Sequence, residues 1–191
     1  MISSREVGFY SIAMGLTDVF AFVPTVLRTS LMPSLIAARN LSNEIFMRRL
    51  TNFYRLNFLL FVIVAIPIMT FSNQILSILY GAEYSPAASL LAFSALKLFF
   101  TNMGTARGVY LLVENLMPFS LYTMIAGTIT NIGLNYLLIP HYSGFGAILA
   151  TQVSFFVTTF LIDFFYHKTK NNVKIQVTSI LTCYKITLKM S

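Results

Sequence analysis

Charged residues are scarce in this sequence: aspartate, glutamate, lysine and arginine together make up 10% of its 191 residues. A soluble domain contains about 25% charged residues, so this composition excludes an ordinary water-soluble protein. The single cysteine, Cys183, excludes an internal disulfide and argues against a metal cluster. The histidines, His141 and His167, fall in different connecting segments, and no paired carboxylates or metal-ligand spacings occur. We therefore expect no metal site, no cofactor and no gathered acid–base groups for catalysis.

Hydrophobic residues, in contrast, make up 57% of the chain, and its mean hydropathy is +0.75. They occur in long runs separated by short polar breaks rather than in the alternating pattern of a membrane β-barrel, which predicts an all-α membrane protein. Each run reaches the ~20 residues that a helix needs to cross the hydrocarbon core of a bilayer. The five predicted transmembrane helices cover residues 8–37, 56–80, 87–113, 117–140 and 145–166.

The charges in the connecting segments orient these helices. The break at residues 38–55 contains four arginines and one acid, Glu44. The tail after the fifth helix contains Lys168, Lys170 and Lys174. The breaks at 81–86 and 141–144 contain no lysine or arginine. By the positive-inside rule, the arginine-rich break and the C-terminal tail are cytoplasmic and the N-terminus lies outside. Most of the basic residues behind the net charge of +7 lie in these predicted cytoplasmic segments. Nucleic-acid binding would require a basic face with stacking aromatic residues, and the sequence shows no such face.

The third predicted helix carries two cations, Lys97 and Arg107, and no acidic residue. A cation at membrane depth costs roughly 3 kcal/mol on insertion scales, so it normally faces protein, water or a ligand rather than lipid. The predicted orientation places Lys97 near mid-membrane and Arg107 near the cytoplasmic end, where its side chain can snorkel to the surface. Gly104 and Gly108 form a GxxxG pair on the same helix, which favours ordinary close helix packing.

The first predicted helix contains two charges, Asp18 and Arg28, together with Pro24 and Pro33, and the prolines predict kinks. The two charges lie about 15 Å apart along a helix, so they cannot pair with each other. Arg28 lies toward the cytoplasmic end, where snorkelling is the simpler interpretation, whereas Asp18 lies deeper. The second predicted helix is uncharged, with a bend expected at Pro67, and we assign it no chemistry.

Polar stripes run along the fourth and fifth predicted helices with the spacing i, i+3 and i+7. The stripe on the fourth helix consists of Thr128, Asn131 and Asn135, and the stripe on the fifth consists of Thr151, Ser154 and Thr158. Such stripes either hydrogen-bond between helices or line a wet cavity, and the pattern leaves both open. We expect Asp163, which lies one turn before the basic tail, to be an interfacial residue.

The transmembrane helices occupy residues 1–170, and residues 171–191 form a separate region. We expect this region to be either a basic cytoplasmic tail or the beginning of a truncated further helix. The stretch 177–188 within it is weakly amphipathic and too short to cross a membrane alone, which also suits an interfacial helix.

Three phrases occur together in a specific order and spacing. They are EVGFYSIAMGLTDVFAFVPTVLRTSLMPSL from Glu6, ILSILYGAEYSPAASLL from Ile75, and NIGLNYLLIPHYSGFGAILAT from Asn131. With these phrases, the chain up to about Lys170 resembles the C-terminal half of the polysaccharide flippases. These are the O-antigen and capsule branch of the multidrug/oligosaccharidyl-lipid/polysaccharide exporter superfamily. The resemblance implies one lobe of a bundle whose two similar lobes face each other across a central cavity, so the lobe on its own is incomplete.

The resemblance also implies a function. Such proteins move undecaprenyl-pyrophosphate-linked oligosaccharide repeat units across the bacterial inner membrane by alternating access, for O-antigen or capsular polysaccharide synthesis. Cations in the cavity are thought to meet the anionic substrate, and some members couple transport to an ion gradient. The substrate-binding candidates are Lys97, Arg107, Asn131 and Asn135. Asp18 is the ion-coupling candidate, or else the counter-ion of Lys97.

The implied partners are the lipid-linked oligosaccharide, the lipid bilayer, the N-terminal half of the transporter and the polysaccharide polymerase of the same pathway. We do not expect an enzyme or a nucleic-acid partner. Three alternatives stay open at this point: an exporter of another substrate, such as a drug, within the same superfamily; a non-transporting remnant or scaffold in the membrane; and a membrane-embedded polymerase or ligase of the pathway.

Overall fold

A computed structural model describes residues 4–185, and every regular element in that range is helical. The all-α prediction is therefore confirmed for the described residues. Short 3₁₀ or π turns at Ala82–Ala87, Val157–Leu161 and Cys183–Lys185 join or follow the main helices. Nine α-helices lie within the described range: α1 Ser4–Phe20, α2 Phe22–Leu41, α3 Asn43–Thr70, α4 Ser72–Tyr80, α5 Ala88–Ser94, α6 Lys97–Val113, α7 Met117–Phe156, α8 Ile162–Phe165 and α9 Lys170–Leu181.

Within residues 4–185, four helical stretches are long and apolar enough to cross a membrane. They are Ser4–Leu41, Asn43–Thr70, Ala82–Val113 and Met117–Phe165. The first three correspond to the first three predicted helices, and the last contains both the fourth and the fifth. A multi-pass arrangement is compatible with these lengths, and the count of five crossings stays a prediction.

The last stretch bends sharply in the middle of α7. Ser143 has φ 48° and ψ −127°, which is not helical, and it divides α7 into two arms. A Cβ added to Gly127 would lie 2.2 Å from Cγ2 of Thr158, so residues on either side of Ser143 pack directly against each other. A Cβ on Gly146 would lie 2.5 Å from the carbonyl oxygen of Leu138, so the contact continues close to the bend. The two arms therefore form an antiparallel helical pair.

The predicted kink in the first helix is present, and it separates α1 from α2 at Ala21. Pro24 lacks a backbone N–H, so it cannot donate the helical hydrogen bond to the carbonyl of Phe20. The chain tightens there instead, and the Ala21 N–H donates to the Asp18 carbonyl at 3.0 Å. Pro33, by contrast, lies inside α2 without interrupting it.

The prediction of a connecting loop at residues 38–55 is wrong, because nearly all of these residues are helical. Helix α2 continues to Leu41 and α3 begins at Asn43, so only Ser42 is extended, with φ −162° and ψ 153°. The Ser42 hydroxyl accepts a hydrogen bond from the Ile45 N–H at 3.1 Å, which caps α3. The arginines lower the local hydropathy, but arginine is a good helix former, so the charge pattern does not end the helices.

The second predicted helix also has different bounds. Residues 56–80 divide between α3, which ends at Thr70, and α4, with Phe71 between them. The bend expected near Pro67 therefore falls one turn later than the proline.

Helix α6 lies at the centre of the described structure, in contact with α2, α3 and the first arm of α7. Its buried side chains join one apolar cluster with α2 and α3 and reach a second one formed mainly with α1, α4 and α5. The largest fully buried side chains of the first cluster are Leu35, Phe46, Leu50, Phe53, Tyr54, Met103 and Leu111. Because α6 carries both Lys97 and Arg107, this central position determines what the two cations meet.

Candidate functional site

Lys97 is the first residue of α6, immediately after a break at Ala95 and Leu96 that separates α5 from α6. Its Nζ forms an ion pair with the Asp18 carboxylate, near the end of α1. The Lys97 side chain is 10% exposed, whereas the Asp18 side chain is 57% exposed. The structure therefore shows the counter-ion arrangement for Asp18, and ion coupling through this residue stays a prediction.

The break between α5 and α6 is stabilised by a side chain to which the sequence pattern assigned no role. Gln152, on the second arm of α7, donates from Nε2 to the Phe93 carbonyl at 2.8 Å. The buried Ser94 hydroxyl bridges the Ala13 carbonyl at 3.3 Å and the Leu91 carbonyl at 2.8 Å. The Leu91 carbonyl also accepts the Ala95 N–H at 3.1 Å and the Phe93 carbonyl accepts the Leu96 N–H at 3.3 Å, so the two side chains add to the backbone hydrogen bonds that hold the turn before Lys97.

Arg107 does not snorkel to the surface, contrary to the expectation from its position in the helix. Its Nε donates to Asp163 Oδ2 at 2.8 Å and its Nη2 donates to Oδ1 at 2.7 Å, which is a bidentate pair. Nη2 also lies 3.2 Å from the Thr123 hydroxyl oxygen. The Arg107 and Asp163 side chains are 8% and 0% exposed. Because a buried charge without a counter-ion is costly, each group stabilises the other in this position.

The Asp163 side chain itself is fully buried in the protein, and its expected position at the membrane interface stays a prediction. Asp163 lies in α8, just after the π turn Val157–Leu161, and its backbone carbonyl accepts a hydrogen bond from the Thr169 hydroxyl at 2.8 Å. Sequence spacing could not reveal this partner for Arg107, because 56 positions separate the two residues.

A cleft of about 670 Å³ opens between α2, α6 and the two arms of α7. Both predicted polar stripes face it through Thr128 and Asn131 on the first arm and Thr151 and Ser154 on the second, with Thr158 beyond. The other lining residues are Arg28, Phe100, Thr101, Gly104, Thr105, Arg107, Gly108, Ser120, Thr123, Met124, Gly127, Phe155 and Thr159. The stripes therefore line a cavity, which was one of the two open interpretations.

Asn135 is not part of the cleft lining. Its Nδ2 donates to Oδ1 of Asn131 at 2.9 Å, so it orients the amide that does line the cleft. Of the predicted substrate-binding residues, the structure thus places Arg107 and Asn131 on the cleft and Asn135 behind Asn131. Lys97 lies outside the lining, against Asp18. Substrate contact by these residues stays a prediction.

Arg28 lines the cleft, although the sequence pattern indicated only snorkelling for it and no binding role. Its guanidinium reaches α6, with Nη1 3.8 Å from where a Cβ on Gly108 would lie. Among residues 4–185 no carboxylate forms an ion pair with Arg28, whereas Lys97 and Arg107 are each paired. The snorkelling interpretation is replaced by a half-buried cation that lines the cleft.

The GxxxG pair also has a different role from the expected one. A Cβ on Gly104 or on Gly108 would find its nearest neighbour at 3.8 Å, which is ordinary contact rather than a close helix crossing. The two glycines instead leave room along the cleft wall, at the level of Arg28. The tightly packed glycines in the described structure are Gly127 and Gly146, and neither has a GxxxG partner in the sequence.

The described cleft contains groups that can bind a polar ligand. It offers a guanidinium without a carboxylate partner, the amide of Asn131 and a series of hydroxyls. No aspartate, glutamate, histidine or cysteine is among its described lining residues, and no group of such residues in the described part of the chain could hold a metal ion. Such a surface can hydrogen-bond a hydroxyl-rich ligand and attract an anion.

Comparisons with protein-family models, with curated proteins and with solved structures found no match for this chain.

Proposed function

We propose that this chain is part of a membrane transporter that flips an undecaprenyl-pyrophosphate-linked oligosaccharide across the bacterial inner membrane by alternating access. The proposal includes the predicted orientation, with the N-terminal end outside and the C-terminal end in the cytoplasm. One observation carries it: a polar cleft, walled by apolar helices, contains the arginine Arg28 with no carboxylate partner among the described residues. The resemblance of the three sequence phrases to polysaccharide flippases supports the same activity.

The hydrocarbon core of the membrane is the barrier to the proposed transport. A pyrophosphate with attached sugars cannot cross about 30 Å of hydrocarbon unaided, because its charges and hydroxyls would lose their water. A fixed guanidinium offsets part of that loss and can meet phosphate oxygens bidentately. The hydroxyls and the Asn131 amide of the cleft provide hydrogen bonds for sugar hydroxyls. No covalent step on the substrate is needed.

Within this proposal Arg28, Arg107 and Lys97 have different roles. Arg28 is the first substrate contact, because it needs no rearrangement to meet an anion. Arg107 lines the same cleft but is held by Asp163 and Thr123, so a phosphate would have to replace the carboxylate. Lys97 is held by Asp18 outside the cleft lining.

The main alternative is an exporter of another substrate in the same superfamily. The charge of the cleft disfavours cationic drugs, since Arg28 would repel them. A scaffold without transport activity is the other alternative, and it predicts that cleft substitutions have no effect on ligand binding.

Binding of a lipid-linked diphosphate oligosaccharide to the purified full chain in nanodiscs tests the proposal. We expect Arg28→Gln to weaken binding by about tenfold or more, because a hydrogen bond to a charged group contributes about 1.5–3 kcal/mol. Arg28→Lys keeps the charge and should retain part of the affinity. The matched control is Arg48→Gln, which removes an exposed arginine of α3 outside the cleft lining and should bind like the unmodified protein.

The same variants in an assay of lipid-linked sugar exposed at the outer leaflet test transport itself. Loss of flipping in Arg28→Gln but not in Arg48→Gln is the expected result. Equal binding and flipping by Arg28→Gln and the unmodified chain would refute Arg28 as the substrate contact. Unchanged transport in Lys97→Ala and Arg107→Ala would remove those two residues as contacts.

A further inference from the structure

Helix α9 buries three polar side chains and exposes two apolar ones. Asn172, Gln176 and Ser179 are completely buried, whereas Leu181 is 71% exposed and Val177 is 46% exposed. Two isoleucines of α9 also pack against the core, so the buried face is both polar and apolar. The exposed face nevertheless leaves Val177 and Leu181 uncovered by protein.

The buried face hydrogen-bonds to a short part of α3. The Tyr54 hydroxyl donates to Asn172 Oδ1 at 2.9 Å, and the Ser179 hydroxyl lies 3.2 Å from the Thr51 carbonyl oxygen. Gln176 Nε2 lies 3.3 Å from the Tyr54 hydroxyl oxygen. The turn of α3 that contains Thr51 and Tyr54 thus packs against the buried face of α9.

These contacts set the position of α9 relative to a membrane. If α3 spans the bilayer, as its length and composition allow, α9 lies beside one end of that span. Its 12 residues extend about 18 Å, which is too short to cross the hydrocarbon core. The contacts with α3 are at the arginine-rich end of that helix, which the charge pattern assigns to the cytoplasm.

The outward face combines cations with apolar groups. Lys168, Lys170 and Lys174 are exposed, and Val177 and Leu181 follow them along the helix. No aspartate or glutamate occurs between Asp163 and the end of the described chain at 185. A surface that is both cationic and apolar matches the boundary between anionic headgroups and acyl chains.

We propose that α9 is a membrane-surface helix that binds anionic phospholipid headgroups through Lys168, Lys170 and Lys174, with Val177 and Leu181 at the acyl boundary. This proposal rests on the membrane embedding included in the proposed function, but not on transport or on any substrate. Each lysine near an anionic surface favours association by about fivefold. The buried hydrogen bonds to α3 hold the helix in the orientation that this contact needs.

Amide hydrogen exchange of the full chain in nanodiscs tests this proposal. The discs contain either phosphatidylcholine alone or phosphatidylcholine mixed with phosphatidylglycerol. We expect exchange in Lys170–Leu181 to be about fivefold slower or more in the anionic discs, and added salt should remove the difference. The variant with Lys168, Lys170 and Lys174 all changed to glutamine should exchange equally in both lipids.

The charge-conserving control changes the same three lysines to arginine and should retain the slowing by anionic lipid. Exchange in Asn43–Thr70 serves as the folding control, since it reports α3 independently of the lysines. Equal exchange of α9 in both lipids for the unmodified chain would overturn the proposal, and so would slowing that persists in the glutamine variant. If the glutamine variant does not fold, hydrogen exchange of α9 in the unmodified chain, compared between the two lipids and with added salt, still tests the proposal. Failure of membrane embedding is distinguishable, because the chain would then not stay with the discs in either lipid.

Discussion

The ion pair between Arg107 and Asp163 allows the sharpest prediction about stability. Asp163→Asn keeps the size of the side chain but removes the negative charge, and it leaves the Arg107 guanidinium buried at 8% exposure without a counter-ion. The chain also loses the bidentate contact of 2.8 Å and 2.7 Å. The Thr123 hydroxyl, at 3.2 Å, is a neutral partner and cannot replace a carboxylate.

The magnitude follows from the burial of both groups. Removing one partner of a buried ion pair destabilises a protein by about 3–5 kcal/mol, because the remaining charge is uncompensated. Replacing both partners together by apolar residues is often neutral or stabilising, because neither charge then has to be desolvated. We therefore expect Asp163→Asn to lower the free energy of unfolding by about 3–5 kcal/mol, and Arg107→Met combined with Asp163→Leu to recover most of that loss.

The assay is unfolding of the purified chain in mixed micelles with increasing dodecyl sulfate, followed by circular dichroism. Glu114→Gln is the matched control, since it makes the same chemical change in an acid whose cationic partner, Arg39, is 37% exposed. We expect a smaller effect there, because water can solvate the Arg39 guanidinium that loses its counter-ion. A loss below about 1 kcal/mol for Asp163→Asn would refute the reasoning, since that is the range of exposed pairs. A double variant no more stable than Asp163→Asn would refute it as well.

Two further predictions concern packing and the helix break. Gly146→Ala should destabilise the chain by about 1–3 kcal/mol, because its Cβ would lie 2.5 Å from the Leu138 carbonyl oxygen and backbone cannot move aside easily. Gly104→Ala, with its nearest neighbour at 3.8 Å, should be neutral or stabilising in the same unfolding assay, and equal effects would contradict the geometry. Gln152→Ala should cost about 0.5–1.5 kcal/mol, because the Phe93 carbonyl would lose its side-chain donor but keep the Leu96 N–H at 3.3 Å. Gln152→Glu removes the same donor, and stability equal to that of the unmodified chain in both variants would show that the hydrogen bond is unimportant.

Local patterns were enough to predict several features of the chain. The long apolar runs predicted a helical chain, and the stripes through Asn131 and Ser154 predicted polar faces at the correct spacing. Pro24 predicted the interruption between α1 and α2. Each of these features depends on residues within a few turns of one another, so the sequence displays them directly.

Other features were invisible because hydropathy measures composition rather than hydrogen bonding. The arginine-rich segment lowers hydropathy and was interpreted as a loop, yet only Ser42 leaves the helix. No proline or glycine near Lys97 indicates the break that precedes it. Gln152 stabilises this break from another helix. The polar stripe Asn172, Gln176 and Ser179 has the spacing i, i+4 and i+7, which is also a helical spacing, so the sequence does display it.

The sequence by itself determined that this chain is helical, apolar enough for a membrane and marked by a few charges within long apolar helices. Only the tertiary structure decided which of those charges are neutralised. Lys97 meets Asp18 across 79 positions, and Arg107 meets Asp163 across 56. Charges attract according to their distance in space, and no local pattern encodes which distant helices become neighbours. For that reason Lys97 and Arg107, the most conspicuous cations in the sequence, have carboxylate partners, and Arg28 is the arginine without one at the cleft.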